Sequence, residues 1–444
     1  MRVILVAYHY PPDPAVGSLR ARNVARALAA AGHEVHVVTI ALPDVAADAR
    51  DGAVNVVRVT QTTTPRELVG RLVNFVRALR RNGRRLAEMS SSPQIPGAGW
   101  KGPAQSSTLR RWLDAVTWLP DDRQGFILPA VRAAEALMRG DGDDMLYTTA
   151  PPFTDHVVGL MLRVRRRFRW ILEFRDPWTG ETYKPWFIRA QLTDSVEQWL
   201  EAQCIRRCDG IVTVASAYTD VLERRYGTLA TDKMVLVRNG IPRMSVADPS
   251  FGPSADPSMF RIVHAGSFYL HRDPKPFFTA LAALRRRGAL QRRLDVRLVG
   301  DCRVFDGEPL APLIERLGLS DVVTFADWLP HAETVALLAS ADLLLLLAQN
   351  QPLSVPNKLY EYLGMGKPIF AITDVAGETA RLLREVGGHF VLDGSGSPEA
   401  MERVLVEALA LPLGRRDDTP ALAALATDAQ MRTLTDWLER TRQS

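Results

Sequence analysis

The feature that most restricts this chain is the run Leu343–Ala348, in which apolar residues follow one another without a polar break. It has the length of a buried strand and falls far short of the ~18 residues of a membrane span. A strand with no polar alternation has no face to give to water, so both its faces must be covered. The pattern recurs in Arg2-Val-Ile-Leu-Val-Ala-Tyr8 and Glu34-Val-His-Val-Val-Thr-Ile40. Between these lie a Pro/Gly loop, His9 to Ser18, and a helix expected over Leu19–Ala31, with Leu19, Val24, Leu28 and Ala31 as its apolar stripe and Gly32 as its end. Strand, glycine loop, helix and strand make a right-handed parallel unit.

Further strands are expected at Val54–Val59, Met145–Thr149, Trp170–Phe174, Gly210–Val214 and Val235–Val237, after which Arg238-Asn-Gly-Ile241 turns away. Residues 242–258 are rich in Pro, Ser, Asp and Gly and read as a linker. The alternation then restarts. Strands are expected at Arg261–Ala265, Asp295–Val299, Val322–Phe325, Leu343–Leu347, Pro368–Ile372 and His389–Leu392, with helices at Phe277–Arg287 and Glu399–Ala410. The fold class is therefore α/β: two Rossmann-like doubly wound parallel-sheet domains expected to face a central cleft. The expected boundaries are 1–241 with a basic insertion at 65–125, the linker 242–258, a second domain at 259–420, and a C-terminal helix at 421–444 packing back towards the first domain. Ligands of such sheets bind at the carboxyl ends of the strands.

The formal net charge of +5 is unevenly spread. Residues 1–185 carry 26 Lys+Arg and 18 Asp+Glu, or +8, and the remainder carries 29 and 32, or −3. A basic first half suits a phosphorylated substrate, an anionic membrane surface or nucleic acid, although arginines that only solvate exposed helices give the same count. Nucleic acid is the weakest of these, because no recognised binding module accompanies the charge. Arg66, Arg71, Arg77, Arg80, Arg81, Arg84 and Arg85 alternate with Leu68, Val69, Leu72, Val73, Phe75, Val76 and Leu79. Such a helix lies in a membrane interface or simply covers a sheet. Three cysteines, with Cys204 and Cys208 at i, i+4 and Cys302 distant, argue against a disulfide framework and for a reducing compartment. No further ligands stand near the pair, so no metal is expected. The start of the chain lacks a cleavage pattern, and the expectation is a cytoplasmic protein with contact to the inner face of a membrane.

Four segments carry chemistry. Gly17, expected between the first strand and helix, lets backbone approach an anionic ligand. Glu173-Phe-Arg-Asp-Pro-Trp178 follows a strand, so Arg175 can bind phosphate and Asp176 can orient or deprotonate a hydroxyl. In the loop Gly266–Lys275, Arg272 and Lys275 can neutralise a diphosphate. The densest segment is Ser354–Pro368. There Asn357 or Ser354 is expected to cap a short helix, whose free N–H groups face a phosphate. Glu361 is expected to accept both hydroxyl hydrogens of a ribose.

With these residues in place the chain resembles the family 4 glycosyltransferases of the GT-B fold over nearly its full length. The resemblance rests on Tyr8-His-Tyr-Pro-Pro with Gly17 and Arg20, on Gly32-His-Glu-Val, Arg238-Asn-Gly240, the Gly266 loop, Val299-Gly300-Asp301 and Lys358-Leu-Tyr-Glu-Tyr362. Arg175-Asp-Pro-Trp178 is similar to the subgroup that builds cell-surface polysaccharides. The resemblance implies retaining transfer from a nucleoside-diphosphate sugar, without a bound metal or other cofactor, to a lipid-linked or polysaccharide acceptor held by the first domain. It places Gly17, Gly266, Ser267, Arg272, Lys275, Pro356 and Asn357 at the donor diphosphate and Glu361 at the ribose. Leu353, Ser354 and Val355 fall near the donor sugar, and Arg77, Arg80, Arg81 and Arg84 at the membrane or acceptor. Two departures matter. Leu353 stands where many members have a first glutamate, which leaves the sugar's identity open. Arg175-Asp176 stands where many have a histidine, so the catalytic candidates are Asp176, with Arg175 beside it, and then His156 on the preceding helix. A nucleotide-sugar epimerase of the same fold and a non-catalytic scaffold are the alternatives.

Overall fold

The computed structural model describes residues 1–64, 67, 117–140, 143–180, 191–242, 258–268, 272–290, 292–410 and 419–443. The arginines of the basic segment, Arg66 to Arg85, and most of the expected linker lie outside the described residues. The chain forms two compact units. One is made by the described residues between Met1 and Arg238 together with those from Met431 onward, and the other by those between Asn239 and Gln430.

The first unit is built on strands β1 (Arg2–Val6), β2 (Glu34–Ile40), β3 (Asp48–Asp51), β4 (Val54–Val59), β5 (Asp144–Ala150), β6 (Arg169–Phe174), β7 (Gly210–Thr213) and β8 (Met234–Leu236). Their order in the sheet is β3-β4-β2-β1-β5-β6-β7-β8. All pair in parallel except β3, which runs antiparallel to β4 at the edge. The apolar character of β1 follows from its two-sided burial. Ile4 and Val6 join a core with Phe126, Val158 and Trp170, while Val3 and Leu5 join another with Val24, Leu28 and Trp437. Alternate residues of one strand thus feed opposite faces.

The second unit repeats the scheme with β9 (Met259–Ala265), β10 (Arg293–Val299), the two-residue strands β11 (Val304–Phe305) and β12 (Glu308–Pro309), β13 (Val323–Ala326), β14 (Leu343–Ala348), β15 (Ile369–Thr373) and β16 (Phe390–Leu392). Its sheet runs β13-β10-β9-β14-β15-β16, parallel throughout. In β14, Leu343, Leu345 and Leu347 face one core and Leu344, Leu346 and Ala348 the other. Truncating one of these leucines to alanine costs about 2–5 kcal/mol, because neither face can collapse onto the void.

Three local expectations change. The first helix spans Val16–Ala30, so Gly17 lies in its first turn and not in the preceding loop. Its buried stripe is Ala21, Val24, Ala25 and Leu28, and Leu19 is half exposed. The helix Asn357–Gly364 is preceded by Pro356 at its cap position and has no side-chain cap, where Asn357 or Ser354 was expected. Proline presets the entering φ but offers no side-chain acceptor. The first-turn N–H groups are therefore left without the side-chain oxygen that a Ser or Asn cap would supply.

Candidate active site

Each sheet has a point where consecutive crossovers leave in opposite directions, and that is where a doubly wound sheet opens a crevice. In the second unit it falls between β9 and β14, adjacent strands whose crossovers lead to β10 and β15. Gly266 follows β9 at φ 141°, a region that glycine tolerates and other residues rarely adopt. Gly300 follows β10 at φ 104°, and a Cβ there would collide with the Gly266 carbonyl. It would also stand 3.3 Å from Cη2 of Trp328, an indole that is 67% exposed. Two glycines thus let the backbone turns after β9 and β10 pack against each other.

The helix Asn357–Gly364 starts at this same point. Tyr362 locks it there, since its buried phenol accepts from the Ala265 N–H at 2.9 Å. Lys358 leaves the first turn and lies across Gly266. A Cβ on Gly266 would collide with Lys358 Nζ, and the same point is 3.7 Å from His264 Nε2. The Nζ atom has lost contact with solvent and has no hydrogen-bond partner among the described residues. Burial, with Arg272 adding repulsion, lowers the Lys358 ammonium to about 7. His264 donates from Nδ1 to the Leu345 carbonyl at 2.8 Å, because a carbonyl can only accept. Burial and then Lys358 hold its imidazole well below the usual range, so it is neutral with its Nε2 unpartnered. Burial raises the Glu361 carboxyl, one turn beyond Lys358, while His331 and Lys358 act to lower it. Cys302 donates its thiol to the Gly266 carbonyl at 3.2 Å, and burial pushes that thiol up to about 12. Arg272 is buried beside this group. Lys275 begins the helix Lys275–Arg286, with its ammonium 5.4 Å over the Phe305 ring.

In the first unit the corresponding point lies between β1 and β5. Arg175 follows β6, donates its N–H to the Ala150 carbonyl at 2.8 Å and its guanidinium to the Pro151 carbonyl. That guanidinium lies against Gly17, where a Cβ would collide with Nη1. Asp155 is buried nearby. Its Oδ2 accepts from the Tyr8 N–H at 2.9 Å, its Oδ1 has no partner among the described residues, and burial raises it well above the usual carboxylate range. Glu173 is fully buried and accepts from Arg20, Tyr147 and Thr149. Arg20 also donates to the carbonyls of Val237 and Arg238.

Residues 260–410 match the family model described as Glycosyl transferases group 1. This part of the chain is similar to the group 1 glycosyl transferases. Solved structures similar to the whole chain share its GT-B fold of two Rossmann-like domains. The α,α-trehalose 6-phosphate synthase from Burkholderia multivorans has a TM-score of 0.62 at 15% identity, covering 100% of this chain and 97% of that one. HepE from Anabaena in complex with UDP has a TM-score of 0.58 at 14% identity, covering 99% and 100%. The lipopolysaccharide outer core galactosyltransferase WaaB, in its apo form, has a TM-score of 0.58 at 12% identity, covering 99% of each chain. No curated protein matches the chain in sequence.

The structure thus brings Gly266, Arg272 and Glu361 together in the second unit, and Gly17 with Arg175 in the first. Ser267, Leu353, Ser354, Val355 and Asn357 are partly buried around the start of the helix Asn357–Gly364, and Pro356 is buried. Asp176 is half-buried beyond β6. His156 sits elsewhere than expected. It has no exposed surface, bonds Thr148 Oγ1 through Nδ1 at 2.9 Å and packs against Phe153, Phe174 and Trp178. Burial, then Arg175, lowers it to about 3. Its helix turns that face inward, so the imidazole packs the core of the first unit. Cys204 is buried too, with its thiol directed at the His156 carbonyl. The sequence reading did not single out Lys358, His264, Asp155 or Trp328. Lys358 was visible only as part of Lys358-Leu-Tyr-Glu-Tyr362, where a lysine at a helix start reads as a surface charge. A cleft of about 280 Å³ beside Lys367 and His389 opens before the amino ends of β15 and β16, and none of the groups named above lines it.

Proposed function

We propose that the chain transfers a sugar from a nucleoside-diphosphate sugar to a lipid-linked or polysaccharide acceptor in cell-envelope glycan synthesis, with retention at the anomeric carbon. The observation that carries this reading is the crevice between β9 and β14. There the Gly266 turn, buried Arg272 and the start of the helix Asn357–Gly364 concentrate positive potential, with the Glu361 carboxylate one turn away. A departing diphosphate needs such a field, and preorganised donors supply it without reorganisation. Glu361 accepts from the ribose hydroxyls. Ser267, Val355 and Asn357 line the phosphates and sugar, and backbone groups near Leu353 and Ser354 take the part that a carboxylate side chain would play. Arg272, with Lys275 at the next helix start, stabilises the leaving diphosphate while the acceptor hydroxyl attacks from the same face. In the first unit, Asp176 acts on the acceptor, and Gly17 with Arg175 holds an anionic part of it. HepE solved with UDP and the lipopolysaccharide galactosyltransferase among the similar folds support this choice of donor and acceptor. Arg77, Arg80, Arg81 and Arg84 would hold the enzyme at anionic lipid, which co-sedimentation with anionic vesicles tests against neutral replacements.

Calorimetry against UDP-, GDP-, ADP-, CDP- and dTDP-sugars tests the reading and selects the donor together. Binding of one set is expected, followed by transfer to a cell-envelope extract. Failure of every nucleotide sugar to bind overturns it.

A further inference from the structure

We propose that Lys358 is a binding residue for the donor's diphosphate, and that it takes up a proton as the diphosphate arrives. The inference rests on the nucleoside-diphosphate reading above.

The geometry comes first. Lys358 Nζ lies over Gly266, so close that a Cβ there would overlap it, with Cε 3.2 Å from the same point. It is closed off from solvent and has no hydrogen-bond partner among the described residues. A structural lysine in such a place would be paired, because a buried ammonium without a partner is costly. This one sits instead where the crossovers diverge, on a side chain from the first turn of the helix Asn357–Gly364. His264 of β9 faces it with an unpartnered Nε2. Arg272 faces it from the loop after β9, Cys302 from the loop after β10, and Glu361 from its own helix. His264 is neutral, Cys302 is held as a thiol, and Arg272 is cationic, so Glu361 is the one carboxylate in this set. Two basic side chains, Lys358 and Arg272, thus face this one carboxylate, and an anion of two phosphates would partner them both.

The proton follows from the same burial. With its ammonium lowered to about 7, Lys358 is largely neutral at pH 8. An adjacent diphosphate favours the charged form and raises it again. The proton comes from solvent, so binding at pH 8 consumes buffer protons, and affinity falls as pH rises above 7.

The test uses whichever of UDP-glucose, GDP-mannose, ADP-glucose and dTDP-glucose binds the full chain most tightly. A nucleotide sugar has no phosphate group that titrates near pH 8, so protons counted there belong to the protein. Calorimetry at pH 8 in two buffers of different ionisation enthalpy is expected to show uptake of most of one proton. Lys358→Met should abolish the uptake and weaken binding at pH 7 by about tenfold or more. It should also raise the melting temperature of the ligand-free protein, which separates loss of binding from loss of fold. Lys358→Arg should keep most of the affinity with no uptake, since a guanidinium is already charged. A Lys358→Met protein that binds and takes up protons as the parent does overturns the assignment while leaving the donor reading intact. If the parent binds none of these sugars, the donor reading fails and the role of Lys358 fails with it.

Discussion

The guanidinium of Arg175 rests on Gly17, with Cζ 2.8 Å from the point where a Cβ would stand. A residue after β6 and a residue in the first turn of the first helix are thus held in one place, and only a glycine leaves room for the guanidinium.

Gly17→Ala should therefore move Arg175 without unfolding the chain. The methyl meets the end of a flexible side chain, and alanine favours the helix by up to ~1 kcal/mol. Thermal melting should be unchanged or raised, while transfer activity falls by about tenfold. In an Arg175→Ala background the same substitution should cost nothing further. Equal losses in both backgrounds would uncouple the two residues.

Arg20→Ala should be severely destabilising. It leaves the Glu173 carboxylate, which has no exposed surface, without its ion pair at 2.7 Å, and removes donors from the Val237 and Arg238 carbonyls. Breaking a buried pair from one side costs about 3–5 kcal/mol, readable in urea denaturation. A loss below ~1 kcal/mol would show that the network can re-form around another donor.

Glu361→Ala should weaken donor binding and also erase discrimination between ribose and 2′-deoxyribose nucleotides, because the carboxylate is the acceptor for those hydroxyls. Lys275→Ala should have the smaller effect of the two, since Phe305 already engages its ammonium. Paired titrations with a nucleotide sugar and its deoxy form check both outcomes.

Stability should depend on pH through Lys358 with a definite sign. Between about 7 and 10.5 the unfolded chain holds this proton and the folded chain does not, so stability rises with pH across that window. Below 7 the folded protein bears the full cost of a buried ammonium. Lys358→Met should thus stabilise the ligand-free enzyme most near pH 6, with the gain fading towards pH 10. A gain that does not vary with pH would point to packing alone.

His156 acts with the same sign in a lower pH window. Its folded value of about 3 lies below the ordinary 6.5, so the unfolded chain takes up this proton first and stability is lost as pH falls through 6.5. His156→Gln should flatten that loss. Nuclear magnetic resonance of the imidazole should show no titration between pH 5 and 8.

The parallel strands were legible because two-sided burial writes itself as an unbroken apolar run, as in Leu343–Ala348. The edge strand β3, Asp48-Ala-Arg-Asp51, was not, because an edge strand with polar alternation looks like a loop. Site residues divide on similar grounds. Glycines between a strand and the next element announce themselves, and Gly266 and Gly300 after strands and Gly17 in a first helical turn all prove to be points of close approach. Side-chain direction is not written in the sequence. His156 has the chemistry of a catalyst and the position of a core residue. Lys358 has the composition of a surface charge and is buried. The cap at Asn357 was misjudged because Pro356 preorganises the helix start through its ring and not through a hydrogen bond.

The core on one face of the first sheet closes with residues from far along the chain. Leu434, Trp437 and Leu438 pack with Val3, Leu5 and Val212, and the absence of a side chain at Gly210 makes room for the Trp437 ring. During synthesis this unit emerges first and must wait through the whole of the second before that face can be sealed. A ribosome stalled between residues 240 and 430 would therefore hold out a nearly finished sheet with one greasy side uncovered. Chaperone engagement is expected to persist for that interval and to end when the helix Thr427–Gln443 has left the exit tunnel.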